Sequence, residues 1–171
     1  MKSIDRVIIC VVFVLLFATF VSAETKKPAA SGKVVNDLLR QLFQDCKAAA
    51  PSPDSWDEKE IDGPANDFID VKLVPLSSGK ITYLITGKHP LFFGARTEMH
   101  WIYEKTTSGY RQIGDLGAND SVRVLVSSHN GYRDIETNYF SEAGTVLNTC
   151  KYLYNGNKYV DVSCKSKRIR R

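Results

Sequence analysis

Ser127, Ser128 and His129, followed closely by Asp134, are the residues in this chain whose types and spacing come nearest to a catalytic set. A seryl nucleophile, an imidazole base and a carboxylate to orient it would serve acyl transfer, provided separate scaffold elements hold them in line. Neighbours on one hairpin rarely meet that condition. The same stretch continues into Asn130-Gly131-Tyr132, and Asn-Gly between alternating segments is a strong hairpin signal. Turn formation therefore accounts for these residues first. A polar, narrow loop ending in an aromatic is also a candidate contact surface, formed by Ser127, Ser128, His129, Asn130 and Tyr132. A weak hydrolase using His129 or His100 with a nearby Asp or Ser is the enzymatic alternative.

Other chemistry finds less support. His89 precedes Pro90 and His100 lies in an alternating segment, so no His-x-x-x-His or Cys-x-x-Cys spacing offers a metal site. Asp115, Asn119 and Asp120 carry oxygen ligands, but their spacing is not that of an EF-hand loop and fits a capped turn. A glycine-rich phosphate loop is absent from the sequence. No metal, no cofactor and no catalytic residue is expected.

The elements that must position the loop begin beyond an export signal. Lys2 and Arg6 precede an apolar run over residues 7–21, which closes on Val21-Ser22-Ala23 before Glu24. That pattern marks residues 1–23 as a cleavable signal peptide and directs the chain to the periplasm or the medium, with no stable membrane anchor. Residues 24–33 are polar and read as a flexible leader. Residues 34–164 read as one domain, and the basic residues within 165–171 as a solvated tail. Acids cluster between Asp54 and Asp70, whereas Lys165, Lys167, Arg168, Arg170 and Arg171 close the chain. Export argues against nucleic acid as the partner of that basic end.

Val35, Leu38, Leu39, Leu42 and Cys46 fall at helical spacing, Ser31 is a suitable N-cap and Pro51 a stop. One amphipathic helix over Gly32 to Ala49 is expected, lying on a sheet. Beyond Asn66 the apolar period becomes two, as in Ile69, Val71, Leu73 and in Ile135, Thr137, Tyr139. Turn signals at Ser77-Ser78-Gly79, Ser108-Gly109, Asn130-Gly131 and Asn155-Gly156 separate the segments. The expected fold is mainly β: an antiparallel meander of about seven to nine strands. Trp101-Ile102-Tyr103 with Gly109-Tyr110 is echoed by Tyr152-Leu153-Tyr154 with Tyr159, an offset of roughly 50 residues that would suit two propeller-blade-like repeats.

Export removes the chain to an oxidising compartment. Cys46, Cys150 and Cys164 follow the cleavage site. If Tyr154 opposes Val160, Cys150 opposes Cys164 and a cross-strand disulfide forms, leaving Cys46 buried and reduced. A two-residue Asn155-Gly156 turn would instead set Cys150 against Asp161, and Cys46 would become the partner of one of the others.

The motifs Trp101-Ile102-Tyr103-Glu104-Lys105-Thr106, Gly109-Tyr110, Asn130-Gly131-Tyr132-Arg133-Asp134-Ile135 and Tyr152-Leu153-Tyr154-Asn155-Gly156 resemble those of a set of small exported bacterial β-rich proteins of unassigned function. Members often carry cysteines beside the Gly-Ala before the Trp strand, where this chain has Phe93-Gly94-Ala95. The resemblance implies export and a β fold, and no reaction. With many tyrosines and no catalytic set, the chain is expected to be a non-enzymatic protein-binding module with a partner in the envelope. An inhibitor or immunity protein against a cell-wall-degrading enzyme is one form of that expectation. A structural envelope domain is the remaining alternative.

Overall fold

The computed structural model describes residues 30–92 and 98–169. The expected signal peptide, most of the leader, Phe93-Gly94-Ala95, Arg170 and Arg171 lie outside the described residues. Helix α1 spans Gly32–Ala49, with the Ser31 hydroxyl accepting from the Val34 amide at 3.5 Å. Its stripe of Val35, Leu38, Leu39, Leu42 and Phe43 is buried because positions three and four apart share one helical face. Residues 51–64 then cross the surface in two short 3-10 turns. Trp56 pins this crossing against Phe43 and Phe92, with ring centroids 5.4 and 6.3 Å away. A single helical turn, α2 (Ala65–Phe68), leads into the β body.

Eight antiparallel strands follow among the described residues, in two sheets of four. The first holds β1 (Ile69–Val74), β2 (Thr82–Gly87), β3 (Met99–Thr106) and β4 (Gly109–Ala118) in chain order. The second holds β5 (Ser121–His129), β6 (Tyr132–Ser141), β7 (Val146–Tyr154) and β8 (Tyr159–Arg168), also in chain order. The sequence echo has a structural counterpart: Trp101-Ile102-Tyr103 lies on the third strand of the first meander and Tyr152-Leu153-Tyr154 on the third strand of the second. The architecture is two successive meanders, and the strands do not close into a barrel.

Alternation divides the first sheet between two cores. Ile69, Val71, Ile85, Trp101 and Tyr103 pack with the helix stripe, and the Tyr103 hydroxyl donates to Asp45 at 2.6 Å. Val74, Leu76 and Ile102, with Ile113 and Leu116, pack instead with Tyr132, Ile135, Tyr154 and Tyr159 of the second sheet. The sheets approach closely at Gly114, where a Cβ would lie 3.3 Å from Ile102 and 3.4 Å from the Tyr159 Cβ. Polar ties cross the same junction. The Tyr132 hydroxyl donates to buried Glu104, which Lys80 and Arg111 approach at 3.6 and 3.7 Å. The Tyr152 hydroxyl donates to the Leu116 carbonyl at 3.0 Å.

Cys150 and Cys164 are bonded, by a register that neither simple turn provides. Tyr154 pairs with Tyr159 around residues 155–158, where the Asn155 side chain accepts from the amides of Asn157 and Lys158 at 3.0 Å. The register then shifts between Lys151 and Tyr152, leaving Val162 as the extra residue and setting Cys150 against Cys164. Cys46 is free and half-buried against the first core rather than fully enclosed. The expected tail is corrected as well: Lys165, Lys167 and Arg168 belong to β8, paired with Thr149, Leu147 and Val146. Backbone ladder bonds to β7 order this segment although nearly all of its side chains are exposed.

Candidate functional site

The β5–β6 hairpin closes through Asn130 and Gly131, both at positive φ (49° and 78°), which is the geometry of a two-residue turn matched to strand twist. The Asn130 amide group also donates to the Tyr154 carbonyl at 2.7 Å, seating the turn on β7. Ser128 pairs with Arg133 and His129 with Tyr132, yet Val124 already pairs with Ile135. Residues 125–127 thus stand opposite Asp134 alone and form a bulge. Its effect is to turn Val126 outward, 92% exposed.

Asp134 holds this bulge in place. Its carboxylate is fully buried, and it accepts from the Ser127 hydroxyl at 2.5 Å and from Lys151 Nζ at 3.0 Å on one oxygen, and from His129 Nδ1 at 2.7 Å on the other. Burial alone would raise the carboxyl pKa. The hydrogen bonds from Ser127, His129 and Lys151 outweigh it and hold the group below its ordinary value. Arg133 Nε adds a bond to the Leu125 carbonyl at 2.7 Å, and its amide donates to the Leu76 carbonyl at 2.7 Å. The bulge is fixed from both sides.

Ser127, Ser128, His129 and Asn130 are exposed at the tip, as a contact loop requires. Tyr132 is not. It is 7% exposed, stacks on Tyr154 with centroids 4.0 Å apart, and meets Tyr159 edge-on. Its place is in the core between the sheets, because a tight turn directs the first residue of β6 inward. Tyr132 is therefore withdrawn from the candidate contact residues, and the exposed apolar side chain next to the turn is Val126.

The triad-like residue types do meet, in an arrangement unlike a nucleophile–base relay. Ser127 donates its hydroxyl hydrogen to Asp134, and His129 shares the same carboxylate through its other oxygen. In a hydrolase the serine donates to the imidazole and the carboxylate orients that ring from behind. Here the carboxylate is the hub, and both side chains brace a loop.

The chain matches no protein-family model, no curated protein and no solved structure. His100, His89, Asp115 and Asp120 each make hydrogen bonds elsewhere in the fold. His100 donates from Nε2 to the Asn119 carbonyl at 3.0 Å and accepts from the Thr86 hydroxyl on Nδ1 at 3.0 Å. Burial lowers its pKa and favours the neutral ring. His89 accepts from the Leu91 amide at 3.3 Å and lies against Phe68. Asp115 accepts from the Gly117 amide two residues on at 3.0 Å, capping a local turn, whereas Asp120 accepts from the Phe140 amide of β6 at 2.7 Å. Among the described residues no group of three or more His, Cys, Asp or Glu side chains is arranged to hold a metal.

Lys151 and Val126 escape sequence reasoning for different reasons. Lys151 reaches Asp134 only through the β6–β7 pairing, which no local pattern reveals. Val126 looks like the third inward member of Val122, Val124, Val126 until the bulge reverses it. The sequence signal that pointed here was the grouping of Ser127, His129 and Asp134 by residue type.

Proposed function

We propose that this chain is an exported, non-enzymatic protein-binding module that presents the β5–β6 tip to a protein partner in the bacterial envelope. Its specific form is an inhibitor or immunity protein acting on a cell-wall-degrading enzyme. The observation that carries this reading is the braced bulge: an apolar β-branched side chain held almost fully in solvent by a buried carboxylate hub. A pre-ordered loop loses little conformational entropy on association, so its contacts translate efficiently into affinity. Val126 is the anchor, flanked by Ser128 as an adaptable polar contact and by His129 and Asn130, which Asp134 and the Tyr154 carbonyl hold in place. The signal-like N-terminal sequence and the Cys150–Cys164 bridge fit an oxidising compartment.

The test is a comparison of the wild-type chain with Val126→Asp as bait in envelope extract, followed by calorimetry on the purified complex. The expected result is a stoichiometric partner whose affinity falls by about tenfold or more in the variant, with little change in melting temperature because the site is exposed. Turnover of peptidoglycan or an ester by the chain itself, abolished by His129→Ala, would overturn the reading in favour of a hydrolase.

A further inference from the structure

A second surface, independent of the hairpin tip, has a defined chemistry. A cleft of about 700 Å³ opens between the first sheet and β5. The two walls contribute residues with different periods. β1 supplies Asp70, Lys72 and Val74, every second residue, and β2 and β3 follow the same rule. β5 supplies Ser121, Val122, Arg123 and Val124 in unbroken succession, preceded by Asp120. Alternate residues line a space above a sheet's face, whereas successive residues line a space beside a strand's edge. The floor is therefore the face of the first sheet and the wall is the backbone edge of β5, with Ile135 of the neighbouring β6 also in the lining. That edge is the terminal one of its sheet, since β5 is bonded to β6 alone among the described strands.

From this geometry we infer that the cleft receives an extended peptide segment of a partner, which adds to β5 as a further antiparallel or parallel strand. The edge offers the alternating N–H and C=O groups that a peptide backbone satisfies along its whole length. Leu84, with Val122 and Val124 of β5, offers the partly buried apolar surface on which every second side chain of the guest rests, over a base closed by the buried Val74 and Ile102. The charges at the rim balance: Asp70, Glu98 and Asp120 against Lys72, Lys88 and Arg123. Two of the cations are already paired, Lys72 with Asp70 at 3.2 Å and Arg123 with Glu136 at 2.7 Å. A cleft without net charge suits a peptide of mixed composition, and is a poor match for a polyanionic glycan or nucleic acid.

The probe is an acetylated and amidated peptide of about eight residues, alternating valine with threonine between one lysine and one glutamate, enough to run the length of the wall. Two analogues carry N-methyl groups on the valines or on the threonines. Only one of those two amide rows faces β5, so strand addition predicts that one analogue binds about tenfold or more weakly while the other is spared. Hydrogen exchange at the amides of residues 121–124 should slow in the complex. Leu84→Lys should abolish binding with the fold intact by circular dichroism, and Val126→Asp should leave it unchanged, which separates this site from the hairpin tip. The inference is overturned if the probe does not bind at millimolar concentration, or if both analogues bind as well as the parent. It is equally overturned if protection appears along β8 instead, if a detergent alkyl chain fills the cleft without protecting residues 121–124, or if β5 pairs with β5 of a second copy.

Discussion

Replacing Asp134 with asparagine keeps the shape of the side chain and removes its charge. The wild-type carboxylate is fully buried and accepts three side-chain hydrogen bonds, one from a lysine ammonium at 3.0 Å. A hydrogen bond to a charged group contributes about 1.5–3 kcal/mol, and the contributions of Lys151 and His129 must be reduced because their side chains are 36% and 48% exposed. The substituted amide would retain an acceptor for one donor and lose the ion pair, so the net destabilisation should be about 2 kcal/mol at pH 7. For a domain of this size that corresponds to a fall in Tm of roughly 4–10 °C. The pH dependence supplies the sign. Asp134 has a folded-state pKa below its ordinary 3.8, so its stabilisation is fully present above that value and is lost as pH falls through the folded pKa. Urea unfolding of wild type and Asp134→Asn, followed from pH 7 to pH 2, should show a gap that narrows below about pH 4. A gap under about 0.5 kcal/mol at pH 7, or one that persists unchanged at pH 2, would refute the hub.

Tyr132→Ala should lower stability by about 3–5 kcal/mol in chemical denaturation, because the ring is a buried member of the intersheet core; a loss within surface-substitution range would return Tyr132 to the exposed loop. Reducing Cys150–Cys164, which are 14 residues apart, should lower the unfolding free energy by about 2–4 kcal/mol, measured with and without dithiothreitol. The Cys46 thiol is pushed up to about 11 by burial, then by Asp115 and Asp45. Its alkylation by iodoacetamide at pH 8 should accordingly be about a hundredfold slower than that of an unhindered thiol, as read by mass spectrometry.

Helix α1 and the strand body were legible because their signals are local. Ser31 caps the helix, Leu38, Leu39 and Leu42 repeat at helical spacing, and glycine turns punctuate a period of two. The echo between Trp101-Ile102-Tyr103 and Tyr152-Leu153-Tyr154 also marked equivalent strands of two meanders. What escaped depends on pairing between strands. Bulges at 125–127 and at Val162 change which side chains face inward without altering local composition. Residues 165–168 carry no apolar alternation, and it is the ladder with β7 that makes them a strand. The hairpin turn itself was legible in Asn130-Gly131, but the exposed apolar residue beside it was not. An aromatic after Asn-Gly, such as Tyr132, reads the same whether it points outward or into a core.

Val126 is proposed as the anchor of a protein interface. Placing the photo-crosslinking residue p-benzoylphenylalanine at position 126, and separately at the exposed apolar positions 140 and 162, tests it in the intact envelope. Irradiation should attach a single protein partner through position 126 and give no such product from 140 or 162. Crosslinks arising from positions 140 or 162 while position 126 stays unreacted would place the interface elsewhere and remove Val126 as its anchor.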